Sequence, residues 1–189
     1  MNSPVKLIQT RRIEDDRGWF VETWNQARWQ SHGAAEQFVQ DNHSLSRATG
    51  TIRGIHFQRP PFAQGKLIRC ARGRIMDYAV DLRKGSPTYG AYVCAELTGE
   101  NGDQLWIPAG FGHAFITLEP DTEVLYKVTA PYDAASDGGV RWDCPTIAIN
   151  WPVPAEGPSL SPKDSALPAL ADFDSPFSYD GEPLRPLGS

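Results

Sequence analysis

The chain has 189 residues, 40% hydrophobic and 22% charged, with 18 basic against 23 acidic side chains and a net charge of −5. That length and balance fit a single domain with a real core, and the lack of a basic block argues against a phosphate-tracking nucleic-acid surface. No apolar run reaches the roughly 18 residues of a membrane helix and no apolar signal segment follows Met1, so neither export nor membrane insertion is expected.

In chain order, short apolar segments alternate with turns built from 16 prolines and 17 glycines. Strands are predicted at residues 5–9, 18–23, 38–46, 51–58, 66–72, 74–81, 91–98, 103–107, 113–118 and 123–129, separated by turn signals such as Lys84-Gly-Ser-Pro87, Glu100-Asn-Gly102 and Pro108-Ala-Gly110. This regular spacing predicts an all-β sandwich or barrel. One helix is predicted over 25–36. A second, short helix is predicted within 153–170, where Ser161-Pro-Lys-Asp164 has a capping serine followed by proline at the first turn. The stretch 172–189, rich in Pro, Gly, Asp and Ser, reads as a wrapping or loosely held tail. Cys70, Cys94 and Cys144 lack CxxC spacing and are expected to be small buried thiols in a reducing cytoplasm.

The stretch Thr51-Ile-Arg-Gly-Ile-His-Phe-Gln58 with Ala63-Gln-Gly-Lys66 places an arginine, a histidine and a lysine among strand formers. On a regular strand Arg53 and His56 point to opposite faces, since side chains alternate. Gly54 lies between them, where a bulge would turn both into one cavity. In Glu123-Val-Leu-Tyr-Lys-Val-Thr129, Val124, Tyr126 and Val128 share a face. If that face lines a barrel, Tyr126 is either a phenol offered to the interior or a tyrosine bonded to a structural partner. The four histidines, His32, His43, His56 and His113, are scattered, with Gln58 where a second strand ligand would sit beside His56. That spacing does not support zinc or non-haem iron. A metal-free set remains, with His56 as base, Lys66 as cation, Tyr126 as acid, and Arg17 and Arg53 as anion holders. Proton removal beside a ketone needs a base near neutral pKa, a positive group at the nascent enolate, and an acid on the opposite face for reprotonation.

Ten ordered motifs carry a resemblance: Asp15-Asp-Arg-Gly-Trp-Phe-Val-Glu22, Phe38-Val-Gln-Asp-Asn-His-Ser44, Ile52-Arg-Gly-Ile-His-Phe-Gln58, Gln64-Gly-Lys66, Asp77-Tyr-Ala-Val-Asp-Leu-Arg83, Gly85-Ser-Pro-Thr-Tyr-Gly90, Leu105-Trp-Ile-Pro-Ala-Gly-Phe-Gly-His-Ala-Phe115, Leu125-Tyr-Lys127, Ile149-Asn-Trp-Pro152 and Leu160-Ser-Pro-Lys-Asp164. From about residue 11 to 169 the chain resembles the dTDP-4-dehydrorhamnose 3,5-epimerase family. The resemblance implies a cupin-type jelly-roll barrel with a few short peripheral helices, forming one domain over 1–189 with a tail at 171–189. It also implies a cytoplasmic homodimer that exchanges strands of residues 1–50 and uses no metal or organic cofactor. The implied substrate is dTDP-4-dehydro-6-deoxy-D-glucose, inverted at C3 and C5. A related dTDP-4-keto-6-deoxyhexose epimerised at one carbon, or rearranged by a 3,4-ketoisomerase, is the alternative.

By motif, the resemblance makes His56 the proton acceptor and Asp164 its partner, with Lys66 facing the enolate oxygen and Tyr126 the proton donor. Arg17, Glu22, Gln40, Asn42, Arg53, His113 and Lys163 would contact nucleotide, phosphates or sugar, with Phe20 near the base. Arg17 and Glu22 would serve the neighbouring subunit. Two positions depart from the family pattern: Asp137 stands for the acidic residue expected shortly after Tyr132, and Trp142-Asp-Cys-Pro145 replaces a second one.

Overall fold

Alternation of inward apolar with outward polar side chains favours strands over helices in this chain, and the computed structural model, which describes residues 3–31 and 36–188, has twelve strands and two short α-helices among them. In order they are β1 (Lys6–Ile8), β2 (Ile13–Asp15), β3 (Gly18–Phe20), α1 (Gln26–Ser31), β4 (Gln40–Ser46), β5 (Ile52–Gln58), β6 (Lys66–Arg72), β7 (Arg74–Asp81), β8 (Tyr92–Thr98), β9 (Gln104–Ile107), β10 (Phe111–Thr117), β11 (Thr122–Val128), β12 (Asp137–Gly139) and α2 (Pro162–Ser165). A single 3₁₀ turn follows at Leu170–Asp172. Two five-stranded antiparallel sheets, ordered β1-β9-β6-β11-β4 and β12-β5-β10-β7-β8, form the jelly roll expected from the sequence.

The sheets meet over one apolar cluster. Ile68, Cys70, Leu105, Ile107 and Val124 from the first pack with Ile75, Ala79, Leu97, Phe111 and Phe115 from the second. Burial of this kind contributes roughly 25 cal/mol per Å² of apolar area removed from water. β4 breaks the pattern: its inward positions Gln40, Asn42, Ser44 and Ser46 are all polar. The interior therefore opens into a polar cleft at the β4 edge.

The ten predicted strands all appear: 66–72 and 74–81 match at both ends, β10 starts two residues before its predicted 113, and the others are shifted or shortened by one to three residues. β2 and β12 were not predicted, because Ile-Glu-Asp and Asp-Gly-Gly are poor in strand formers. β12 nevertheless forms by pairing with β5. The first helix covers six residues of the predicted 25–36. Residues 32–35, including His32, lie outside the described residues. α2 begins as expected, with Ser161 Oγ accepting from the Asp164 amide and proline in the first turn. Cys70 and Cys144 are buried, but Cys94 is exposed, contrary to expectation. It sits on β8, whose free edge and solvent-facing positions leave the thiol uncovered.

The tail wraps. Phe173 and Phe177 pack on Phe57 with centroids 5.0 and 5.6 Å apart, and Leu184 joins the inter-sheet cluster. Asp180 accepts from the buried Arg83, whose guanidinium also pairs with Asp81. No helix among the described residues is long and apolar enough to cross a membrane.

Candidate active site

Gly54 decides which side chains enter the cleft. Between β10 and β5 the register pairs His113 with His56 and Phe115 with Arg53, so one more residue lies on β5 than on β10. The extra residue restores parity: Arg53 and His56 both line the cavity, while Ile55 and Phe57 pack on the outer face of the sheet. Gly54 has φ +134°, and a Cβ there would stand 2.3 Å from Ala114 Cβ, so no larger residue fits. The expected bulge is present.

The cavity has a volume of about 660 Å³. β5 supplies His56 and Arg53, β10 supplies His113, and the facing sheet supplies Lys66 from β6, Tyr126 from β11, and Gln40 and Asn42 from β4. Asp164 and Lys163 enter from α2. Thus His56, Lys66 and Tyr126, separated by up to seventy positions in sequence, open onto one space, with base and phenol on opposing sheets.

His56 Nε2 lies 2.5 Å from Asp164 Oδ1. Burial alone would raise the Asp164 carboxyl, but the hydrogen bond and charge of His56 hold it below its ordinary value. The buried carboxylate thus fixes the orientation of the ring. Lys66 is 8% exposed, and among the described residues the one hydrogen bond of its ammonium goes to the His56 carbonyl oxygen, at 3.4 Å. Desolvation lowers its pKa to about 8, against the pull of Asp137 and Asp77. An ammonium this poorly partnered is available to an incoming anion. Burial raises the Tyr126 phenol above its ordinary value, opposed by Arg53 and reinforced by Asp137, which keeps it a proton donor at neutral pH.

Gln40 is held between Asn42, to which its amide donates at 2.9 Å, and the Tyr132 amide, from which it accepts at 3.0 Å. Arg53 leans on Ser46 Oγ and the Leu45 carbonyl, contacts that a phosphate could replace. Lys163 pairs with Asp137, which also accepts from the Tyr132 hydroxyl. This places the first departure from the family pattern at the cavity wall. The second, Asp143, pairs with Arg141 and does not line the cavity. Tyr132 was not singled out from the sequence as a site residue. It is 60% exposed at the cavity mouth, a free aromatic face for a planar group. An unpatterned loop gave no signal for it.

Arg17, Phe20 and Glu22 do not reach this cavity. Arg17 pairs with Asp15, Glu22 with Arg28, and Phe20 is 67% exposed on the β2–β3 hairpin beside exposed Trp19 and Ile13. Among the described residues no three His, Cys, Asp or Glu side chains come together as a metal site.

A family model described as dTDP-4-dehydrorhamnose 3,5-epimerase matches residues 3–172. The dTDP-4-dehydrorhamnose 3,5-epimerase of Sinorhizobium fredii is 54% identical over 175 residues, 93% of this chain and 89% of the relative. The solved enzyme of that name from Bacillus anthracis, with TDP and PPi bound, is 47% identical with a TM-score of 0.85, covering 88% of this chain and 94% of its own. The dTDP-6-deoxy-D-glucose-3,5-epimerase of Legionella pneumophila, solved with dTDP-4-keto-L-rhamnose, is 39% identical with a TM-score of 0.89, covering 94% of each chain.

Proposed function

The chain belongs to the dTDP-4-dehydrorhamnose 3,5-epimerase family, and we propose that its cavity performs that reaction with a base, an acid and an ammonium drawn from three strands. The activity is inversion of C3 and C5 of dTDP-4-dehydro-6-deoxy-D-glucose, an isomerisation that gives dTDP-4-dehydro-L-rhamnose. The observation that carries the mechanism is the shared cavity: His56 and Tyr126 stand on opposing sheets with Lys66 beside them.

In each inversion the His56 imidazole takes the proton from the carbon beside the ketone. The C–H electron pair moves into the C–C bond, and the carbonyl π pair moves onto oxygen as an enolate. Lys66 offsets that charge in a site where little water competes. The enolate collapses, and carbon takes a proton from the Tyr126 hydroxyl on the other face. Solvent then reprotonates the tyrosine and removes the proton from His56, with Asp164 steadying the imidazolium between the two events. Arg53 and Lys163 are the cations for the diphosphate, Gln40 and Asn42 supply polar contacts, and Tyr132 offers its face to the base.

We assign the reaction to a cytoplasmic homodimer, in which Arg17, Phe20 and Glu22 reach the neighbouring subunit's cavity. Their distance from the cavity of their own chain, and the exposed Ile13, Trp19 and Phe20 of the hairpin, support this reading.

With dTDP-4-dehydro-6-deoxy-D-glucose in D₂O, deuterium is expected at both C3 and C5, read by NMR. Label at a single carbon would replace this function with single-site epimerisation.

The lowered pKa of Lys66 gives a second expectation. Activity needs the ammonium, so kcat/KM should fall as pH rises through about 8. The same group acts oppositely on stability: between about 8 and its unfolded value of 10.5 the unfolded chain binds more protons, so its contribution to stability rises with pH. A kcat/KM profile flat from pH 7 to 10 would remove Lys66 from the chemistry.

A further inference from the structure

Gln58 stands two residues beyond His56 on the same face of β5 and lines the cavity, yet it is 3% exposed and takes no part in the proton transfers. Its amide is committed to backbone. Nε2 donates to the Phe62 carbonyl at 2.8 Å and to the Pro131 carbonyl at 3.0 Å, and Oε1 accepts from the Asp133 amide at 2.8 Å. With both N–H groups on carbonyls, it has no proton left to give a bound substrate.

Two of those three bonds fall on either side of Tyr132. The Tyr132 amide itself donates to Gln40 Oε1. Residues 131, 132 and 133 are thus gripped one after another by side chains from opposite sheets, Gln58 on β5 and Gln40 on β4. Beside them, Gln64 Nε2 donates to the Ala130 carbonyl and the Gly65 amide to Thr129 Oγ1, tying the β5–β6 loop to the same segment. The Tyr132 ring is exposed, so its place comes from its backbone rather than from packing.

We propose that Gln58 is a positioning residue for nucleotide recognition, which fixes the segment carrying Tyr132 so that the ring stands ready for the pyrimidine base. The inference rests on the dTDP-sugar substrate and the Tyr132–base contact assigned above. Two carbonyls ask for donors here and one N–H for an acceptor, a set that a single amide meets. Glutamate would set oxygen against two carbonyl oxygens. Methionine, of similar length, would leave three backbone groups without their partner. A segment freed in this way must be ordered again by each incoming nucleotide, and that entropy is subtracted from affinity. The proton transfers are spared, since His56 pairs with Asp164 and Lys66 with the His56 carbonyl.

Three measurements on the intact protein test this. In wild type, both side-chain amide protons of Gln58 and the amide proton of Asp133 should exchange slowly with water by NMR. Free exchange at these protons overturns the proposal. In calorimetric binding, Gln58→Met should weaken dTDP on the order of 10-fold, with KM rising alike and kcat at saturation within about 2-fold of wild type. Tyr132→Ala should weaken dTDP by a similar factor, the loss of one base–aromatic stack. Adding Gln58→Met to Tyr132→Ala should then cost little further affinity, because the ring it positions is gone. Unchanged dTDP affinity in Gln58→Met, or losses that multiply in the double variant, overturn the positioning role while the substrate reading stands. Should Gln58→Met not fold, Pro131→Gly at an exposed position loosens the same segment and should weaken dTDP about 3-fold. No loss there overturns the proposal. Wild-type protein that binds no dTDP overturns the substrate reading and this inference together.

Discussion

His56→Ala is expected to lower kcat by about 10³-fold or more while leaving dTDP affinity nearly intact. The nucleotide contacts assigned above lie on Arg53, Lys163, Gln40 and Tyr132, none of which donates to or accepts from the imidazole. What the substitution removes is the group that takes the carbon-bound proton. It also strips Asp164, 3% exposed, of its closest partner. A stability loss of about 1–3 kcal/mol is therefore expected beside the catalytic one. Steady-state kinetics, isothermal titration with dTDP and a denaturant titration separate these effects. A turnover close to wild type would refute the assignment of the base.

Tyr126→Phe should behave differently. The base half of the reaction stays intact, with His56 on β5 and Lys66 on β6 undisturbed by loss of one oxygen on β11. Protons beside the ketone should still exchange with D₂O, through removal and return on one face. Inverted product should fall to background. The substitution keeps the ring and its packing against the inter-sheet cluster, so the fold is preserved. Exchange and inversion followed in one NMR sample give the ratio directly. If both fell by the same factor, acid and base would not be separate groups.

Much of this site was legible before any coordinates, for identifiable reasons. Strand periodicity gave the barrel and the inward face of β11, hence Tyr126. A glycine between two functional residues of wrong parity announced the bulge on β5, because only an extra residue reconciles Arg53 with His56. The partnership of His56 with Asp164 came only by resemblance, since it joins residues 108 positions apart and no local pattern encodes such a contact. The hold of Gln58 on the Pro131 and Asp133 backbone was missed for the same reason, being tertiary. Tyr132 lay in a loop without periodicity, and β12 forms only because β5 offers it an edge. Cys94 was misjudged because a small apolar residue on an edge strand has an outside as well as an inside.

The wrapping tail has a consequence for how the molecule is made. Val5 and Leu184 belong to the same cluster, the Arg185 amide donates to the Ser3 hydroxyl, and Asp180 supplies the second carboxylate of a buried arginine. Residues about 180 positions apart must therefore meet before the inter-sheet cluster is complete. The barrel cannot complete itself on the ribosome until residue 184 has cleared the exit tunnel. Nascent chains stalled short of that point leave the inter-sheet cluster incomplete.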